Sequence, residues 1–492
     1  MNCQRAVVLG GGLGGLAIAA RLRAQGHATT IVERNAVLGG RAHTFEKSGF
    51  TYDAGPTVVT APYLFGELFE LFGERIEDHV EFLPVTPWYR YSFPDGDYFN
   101  YGSGDALYAE IERVAPGELD HYRQFSAYSA KLFERGYEQL GAAPFHRVGS
   151  MLRELPFIVK TRAYRSLYGM VSSYFKSEKL RQVFATPSLL VGGSPLETPA
   201  IYGLIHTLEQ KWGVWYAKGG TGALVEALVS LLERHGVEFV MNASVDALEL
   251  NRDRITAVRT DSGERIEGEL FASNMDPAWA YDNLLPKTVG KLWRWRNKHA
   301  RFSFGLFVLF FNTRCTYESV AHHTIVLQSD YEGSLEAITR GGQISDEPNI
   351  YLHRPAATQP IAGSRGESYY ALVPVPNLKI DANTDWGQMG AQLEANTIRT
   401  LEQRFMPGLS SEIGDSFYTT PIHFRDRFHS SYGAGFSISP DLTQSAWFRY
   451  HNLCSSVKNL YFTGAGTHPG AGMPGVLNSA KIVGDLIAVR GT

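Results

Sequence analysis

At 492 residues and 44% hydrophobic, the chain is long enough for two or three packed units, and its ordinary apolar content excludes intrinsic disorder. The 46 basic and 50 acidic side chains leave a net charge of -4, which excludes a general affinity for nucleic acid. Three widely spaced cysteines (Cys3, Cys315, Cys454) exclude a disulfide framework or zinc ribbon, whereas 12% aromatic residues is a surplus that asks for a use.

No charged stretch with an apolar run behind it precedes residue 6, so secretion is not expected. No segment reaches the ~20 apolar residues of a membrane-spanning helix. The run Ala6-Val7-Val8-Leu9 predicts a strand that ends on Gly10-Gly11-Gly12-Leu13-Gly14-Gly15. A G-x-G-x-x-G frame falls on Gly10, Gly12 and Gly15, and residues 16–22 have helical spacing. Gly10 permits the tight turn, Gly12 lets backbone approach a pyrophosphate, and Gly15 lets helix and strand pack closely. The helix N-terminus turns its N–H groups and positive dipole toward the phosphates. A second strand, 29–32, delivers Glu33, where a carboxylate accepts hydrogen bonds from a ribose diol. Glu33 disfavours a 2′-phosphorylated cofactor, and the neighbouring Arg34 alone argues the other way. Next come Gly39-Gly40-Arg41 and Gly55-Pro56-Thr57, more backbone that a cofactor can approach, with Arg41 as a charged fork.

Residues 147–181 carry eight basic and two acidic side chains, a local +6 in a chain of net -4. Leu152, Leu155, Val159, Ala163, Leu167, Met170 and Tyr174 recur every three or four residues, the period of one helical face, with a break expected at Pro156. Two uses of that face stay open: a stripe turned to the core, or a basic amphipathic segment lying in a bilayer interface. A helix is predicted over 223–232, a strand over 237–241, and a hairpin of strands 255–259 and 265–271 about Asp261-Ser262-Gly263. Residues 304–311, FGLFVLFF, read as a buried strand. His322 and His323, if on a strand, point to opposite faces, and the 15 histidines show no H-x-x-x-H pair, so no metal site is expected. At the C-terminus a strand over 459–463 enters a second glycine-rich loop, followed by a helix over 477–487.

The first motif and Gly39-Gly40-Arg41 resemble the glutathione-reductase-like FAD proteins, especially their amine-oxidase and carotenoid-desaturase branch, in which a Pro often stands where this chain has Leu38. The run 459–479 resembles, position by position, the motif of bacterial-type phytoene desaturases: Asn459, Gly464, Thr467, His468, Pro469, Gly470 and Gly472 fall where it asks for them. Residues 212–216, 219–222 and 443–448 match as well, so the resemblance extends from residue 6 nearly to the end.

The resemblance implies an α/β fold: a Rossmann-like FAD-binding domain of the glutathione-reductase/amine-oxidase type, a sheet-rich substrate domain and a helical segment able to bind membrane. The expected divisions are 1–70, 205–275 and 440–492 for the FAD domain, 71–135 and 276–439 for the substrate domain, and 136–204 for the helical segment. FAD would be held by Gly10, Gly12, Leu13, Gly14, Gly15, Glu33, Arg34, Gly40, Arg41, Gly55, Pro56, Thr57, Val245, Gly464, Ala465, Gly466, Gly472, Met473, Pro474 and Val476. The implied substrate is a hydrophobic polyene such as phytoene, desaturated toward lycopene or a shorter conjugated product, with no catalytic side chain assigned and His468 given no chemistry. Partners would be a membrane surface at the cytoplasmic face and an electron acceptor that is oxygen or a quinone. The alternatives are another flavin reaction on an isoprenoid or amine (isomerisation, later-step desaturation or amine oxidation), or a non-catalytic isoprenoid carrier of the same fold.

Overall fold

A computed structural model describes residues 3–360 and 366–490. Five short strands form a parallel sheet in the order Leu460–Phe462, Leu270–Ser273, Arg5–Leu9, Ala28–Val32, Glu238–Val240. Its strands are drawn from distant parts of the chain, because parallel neighbours need long crossover connections. The chain runs from Arg5–Leu9 through Ala28–Val32 to Glu238–Val240 on one side and then crosses to Leu270–Ser273 on the other, so a crevice opens at the carboxyl end of Arg5–Leu9.

Helix Leu13–Ala24 is apolar on every side until Arg21 and Arg23 in its last turn, and Leu16 through Ala20 are fully buried. A helix with no polar face needs partners all round. This one packs on the sheet and against helices Thr221–Arg234 and Met473–Arg490.

The predicted hairpin is only half right. Strands Val245–Asn251, Arg254–Thr260 and Arg265–Glu267 form a small antiparallel sheet. The chain breaks at Gly268, and Leu270–Ser273 instead joins the parallel sheet. A Cβ at Gly268 would lie 2.8 Å from the Val7 side chain, so this crossing between sheets requires glycine.

A seven-stranded sheet runs Ile413–Thr419, Gly305–Thr313, Ser368–Val375, Ile350–His353, His323–Val326, Tyr89–Ser92, Tyr98–Tyr101. Strand Gly305–Thr313 is buried throughout, yet its two faces serve different cores by the period-2 rule. Phe307, Leu309 and Phe311 pack toward helix Trp386–Arg404 through Trp386, Leu393 and Leu401. Leu306, Val308 and Phe310 face the opposite cluster, beside Tyr370, Tyr89 and Phe424.

The stripe read over 152–174 does not stay on one helix. The chain forms helix Val148–Thr161, turns at Arg162 with φ of 53°, and resumes as Leu167–Val171. Pro156 sits inside the first helix and does not break it. The stripe divides accordingly: Ala163, Leu167 and Met170 are core, whereas Leu152 (59%), Leu155 (42%) and Val159 (64%) are exposed, with Val148 and Tyr164 beside them. Among the described residues no helix is long and apolar enough to cross a membrane.

Candidate cofactor and substrate cavity

One cavity of about 620 Å³ runs from the carboxyl end of the parallel sheet to the inner face of the seven-stranded sheet. At its sheet end lie Gly10, Gly12, Leu13, Gly14, Glu33, Arg34, Gly40, Arg41, Gly55, Pro56, Thr57 and Val245. From the C-terminal loop come Gly464, Ala465, Gly466, Gly472, Met473, Pro474 and Val476. Of the residues expected to touch a cofactor, Gly15 does not line the cavity. A Cβ there would lie 1.9 Å from the Gly10 carbonyl oxygen, so its absence permits the helix–strand approach and does nothing for a ligand directly.

The two glycine-rich turns are pressed together. A Cβ on Gly14 would fall 2.4 Å from Asn274 Nδ2 and 3.3 Å from Gly464 Cα, and one on Gly464 would fall 2.6 Å from the same amide. Asn274 is thus the wedge between both turns. Its backbone N–H donates to Leu9 O at 2.8 Å, which places it at the mouth of the crevice. A lone Asn after a strand carries no spacing signal, so the sequence does not single out Asn274.

The chemistry of this end suits a dinucleotide. Helix Leu13–Ala24 begins at Gly12 with no side-chain cap and no acid in its first turn, leaving its N–H groups and dipole for an anion. Glu33 is buried; Oε2 accepts from Gly11 N (2.7 Å), and Oε1 accepts from Asn35 N (2.8 Å) and Nδ2 (2.7 Å). A carboxylate has about four acceptor sites, so roughly one is left for a ligand hydroxyl. Arg34 keeps a buried Nη1 without a protein partner, a second donor for ligand oxygen.

Arg41 is already engaged by the protein. Its Nη1 donates to Gly435 O (2.8 Å) and its Nη2 to Ser430 Oγ (3.2 Å), tying the cofactor segment to a loop beside the large sheet. Asp276 answers its charge: burial pushes the Asp276 carboxyl up, and Arg41 pulls it back down. Behind the C-terminal loop the fully buried Arg449 donates from Nε to Thr467 O (3.0 Å) and from Nη2 to Ala465 O (2.7 Å) and Ile438 O (3.3 Å). It clamps three carbonyls, and neither its role nor its contacts could be inferred from the sequence around Phe448. His468 lines the same end, but burial and the Arg449 charge hold its pKa at about 3. Burial thus favours its neutral form.

The far end is a hydrocarbon surface, with Leu189, Ile201, Leu306, Val308, Leu372 and Phe436 among its lining. Alternation along Gly305–Thr313 and Ser368–Val375 delivers Leu306, Val308 and Leu372 to one face, and Leu189, Ile201 and Phe436 come from segments outside the sheet. Two carboxylates stand in that wall. Glu154 is paired with Arg135 through both oxygens at 2.7 Å. Glu209 is fully buried and accepts from Tyr89 OH (2.9 Å), and burial pushes its pKa up to about 7. Met151, Glu154 and Ile158 of helix Val148–Thr161 complete the wall. At 100° per residue, they lie about a quarter-turn from the exposed stripe of Leu152, Leu155 and Val159.

His322 and His323 do not diverge as expected. Strand His323–Val326 begins only at the second of them, so alternation does not govern His322. Both rings gather with His353, at centroid separations of 4.4 and 4.8 Å from His322.

The model of the family described as flavin containing amine oxidoreductase matches residues 13–488. A phytoene desaturase (lycopene-forming) of Pantoea ananas is 43% identical over 485 residues, covering 98% of both chains. A phytoene desaturase (neurosporene-forming) of Cereibacter sphaeroides is 39% identical over 493 residues, 99% of this chain and 95% of the relative. Among solved structures, putrescine oxidase bound to putrescine covers 99% of this chain and 100% of its own, with a TM-score of 0.66 at 13% identity. An oxidoreductase from Methanosarcina mazei has a TM-score of 0.64 at 16% identity, covering 99% and 100%. At such identities the two structures speak for the fold alone.

Proposed function

The chain belongs to the flavin-containing amine oxidoreductases, as a relative of the bacterial phytoene desaturases, and from that premise we infer an FAD-dependent carotenoid desaturase. The observation that carries the reading is continuity: two interlocked glycine turns open directly into a hydrocarbon-lined chamber. When bound, FAD supplies an oxidant able to accept a hydride from the polyene.

The chain's own contribution is placement. The uncapped turn at Gly12, Leu13 and Gly14 is proposed to take the pyrophosphate, with Glu33 and Arg34 at the ribose and Val245 at the adenine. Gly40, Arg41, Gly55, Pro56 and Thr57, with Gly464, Ala465, Gly466, Gly472, Met473, Pro474 and Val476, are proposed to hold the remainder. Leu306, Val308, Leu372 and Phe436 hold the substrate by apolar contact and keep water from it. Removing a hydride from a carbon between double bonds leaves positive charge spread along the polyene, so a strong base is not required for the proton that follows.

We further propose lycopene as the end product, which the 43% and 43% identities to two lycopene-forming relatives support over the 39% and 38% to neurosporene-forming ones. The polyene is proposed to enter from an anionic bilayer at the cytoplasmic face, along the exposed stripe of helix Val148–Thr161 adjoining the cavity wall. Oxygen or a quinone is proposed to reoxidise the cofactor. The test is FAD-loaded protein with phytoene in liposomes, followed by absorption spectroscopy. Lycopene bands support the reading, shorter conjugation rejects the product, and unchanged phytoene rejects the function. Repeating the assay anaerobically with and without quinone separates the two acceptors.

A further inference from the structure

We propose that His322, His323 and His353 form a binding site for one divalent transition-metal ion of the imidazole-preferring class, with Zn2+ the first candidate. The three side chains are buried, and each offers one ligand atom within 4.8 Å of the others. His323 and His353 are direct cross-strand partners on adjacent antiparallel strands, so their rings share a face, and His322 folds in from just before the strand.

The hydrogen bonding divides each ring in the way a metal requires. His322 Nδ1 meets Thr358 Oγ1 at 2.7 Å, His323 Nδ1 meets Tyr351 OH at 2.7 Å, and His353 Nε2 meets Asp53 Oδ2 at 3.2 Å. The opposite nitrogens (His322 Nε2, His323 Nε2 and His353 Nδ1) are buried and have no hydrogen-bond partner. Three rings thus each have one nitrogen oriented by an outer group and one free. Ligating histidines are typically held this way, and Asp53 on His353 is the carboxylate–histidine arrangement that fixes the tautomer.

Arg354 faces His322, but its guanidinium is matched by Glu367 at 2.7 and 2.8 Å. Tyr216, Tyr89 and Tyr370 wall the cluster with rings 4.8, 5.7 and 5.2 Å from His322, His323 and His353. Imidazole ligands in a closed setting suit Zn2+, with three protein ligands leaving a fourth position for water. Metal–nitrogen bonds of about 2.0–2.1 Å in tetrahedral geometry set ligand nitrogens about 3.3 Å apart, so binding asks these nitrogens, within 4.8 Å of one another, to close by up to about 1.5 Å.

The location gives the ion a purpose. Tyr351 OH, which orients His323, also lies 2.7 Å from Thr57 Oγ1 in the cavity wall, and Asp53 ends the strand leading to Gly55. A bound ion would brace that wall from behind without touching substrate.

The test uses untagged full-length protein. Metal content by mass spectrometry should show about one Zn2+ per chain. After chelation, one equivalent of Co2+ should raise the visible d–d bands of a four-coordinate site with three nitrogen ligands. His323→Gln and His353→Gln should lose that signal, Tyr351→Phe should weaken Co2+ binding about 10- to 100-fold, and exposed His299→Gln should change nothing. FAD absorption reports whether each variant is folded. Wild-type protein that retains no Zn2+ and gives no Co2+ bands would overturn the proposal. Bands that persist unchanged in folded His323→Gln or His353→Gln would overturn it equally, since the ion would then lie elsewhere. Neither readout depends on desaturase activity.

Discussion

Replacing Leu152 and Val159 together by serine probes how the enzyme reaches a substrate that is insoluble in water. Both lie on the outward stripe of helix Val148–Thr161, with 59% and 64% of their surface exposed. Fully burying a Leu or Val is worth about 1.5–3 kcal/mol, so covering the exposed part of each in a bilayer interface contributes about 1–2 kcal/mol. The pair is therefore worth about 2–4 kcal/mol, a roughly 30- to 1,000-fold fall in partitioning. Because the two side chains are already in water, the change should leave folding and FAD absorption intact. Flotation with anionic liposomes measures the effect directly. Binding of the unaltered protein should also weaken at high salt, because basic residues near the surface contribute about 1 kcal/mol each and are screened. Equal flotation of variant and unaltered protein would refute the assignment of this stripe to membrane.

Glu209→Gln should alter how stability depends on pH. The Glu209 carboxyl titrates near 7 when folded against an ordinary 4.5, so the folded state holds its proton longer than the unfolded state does. Stability therefore falls as pH rises from 4.5 through about 7, by about 3 kcal/mol. The amide removes that slope, so the unfolding curves of variant and unaltered protein should separate over that window, whereas a constant offset would contradict it. Gly464→Ala forces φ of 106° on an L-residue and drives a Cβ to 2.6 Å from Asn274, so FAD affinity should fall at least about ten-fold by absorbance titration. Arg449→Met releases three carbonyls of the C-terminal clamp and should lower both FAD retention and melting temperature. Val308→Trp fills the hydrocarbon end of the cavity, so turnover of phytoene should collapse with FAD binding unchanged in titration.

Local pattern sufficed wherever the chemistry is carried by neighbours in the chain. The turn at Gly10, the acid at Glu33 and the loop from Gly464 to Val476 all line the cavity, because strand–glycine–helix units fold as units and carry their geometry in consecutive residues. The family resemblance drew on the same runs. Chain-local signals failed where a contact joins distant segments or where an element ends unexpectedly. Asn274 wedges two turns, Arg449 clamps a loop, and Arg41 reaches Gly435, none of which spacing reveals. Residues 265–271 were one strand by composition and two by structure, since Gly268 lets the chain pass from one sheet to another.

The aromatic surplus and the basic stripe show the same division. Composition alone established that this chain carries many rings and one strongly basic segment, and motif alone established a strand–glycine–helix turn near each end. Only tertiary packing decided which rings line a chamber and which fill a core, because a strand buried on both faces, such as Gly305–Thr313, looks equally apolar from either side. Packing likewise parted Leu152 and Val159 from Leu167 and Met170, which share a period but not a helix. Period is a property of neighbours, and burial is a property of the whole fold.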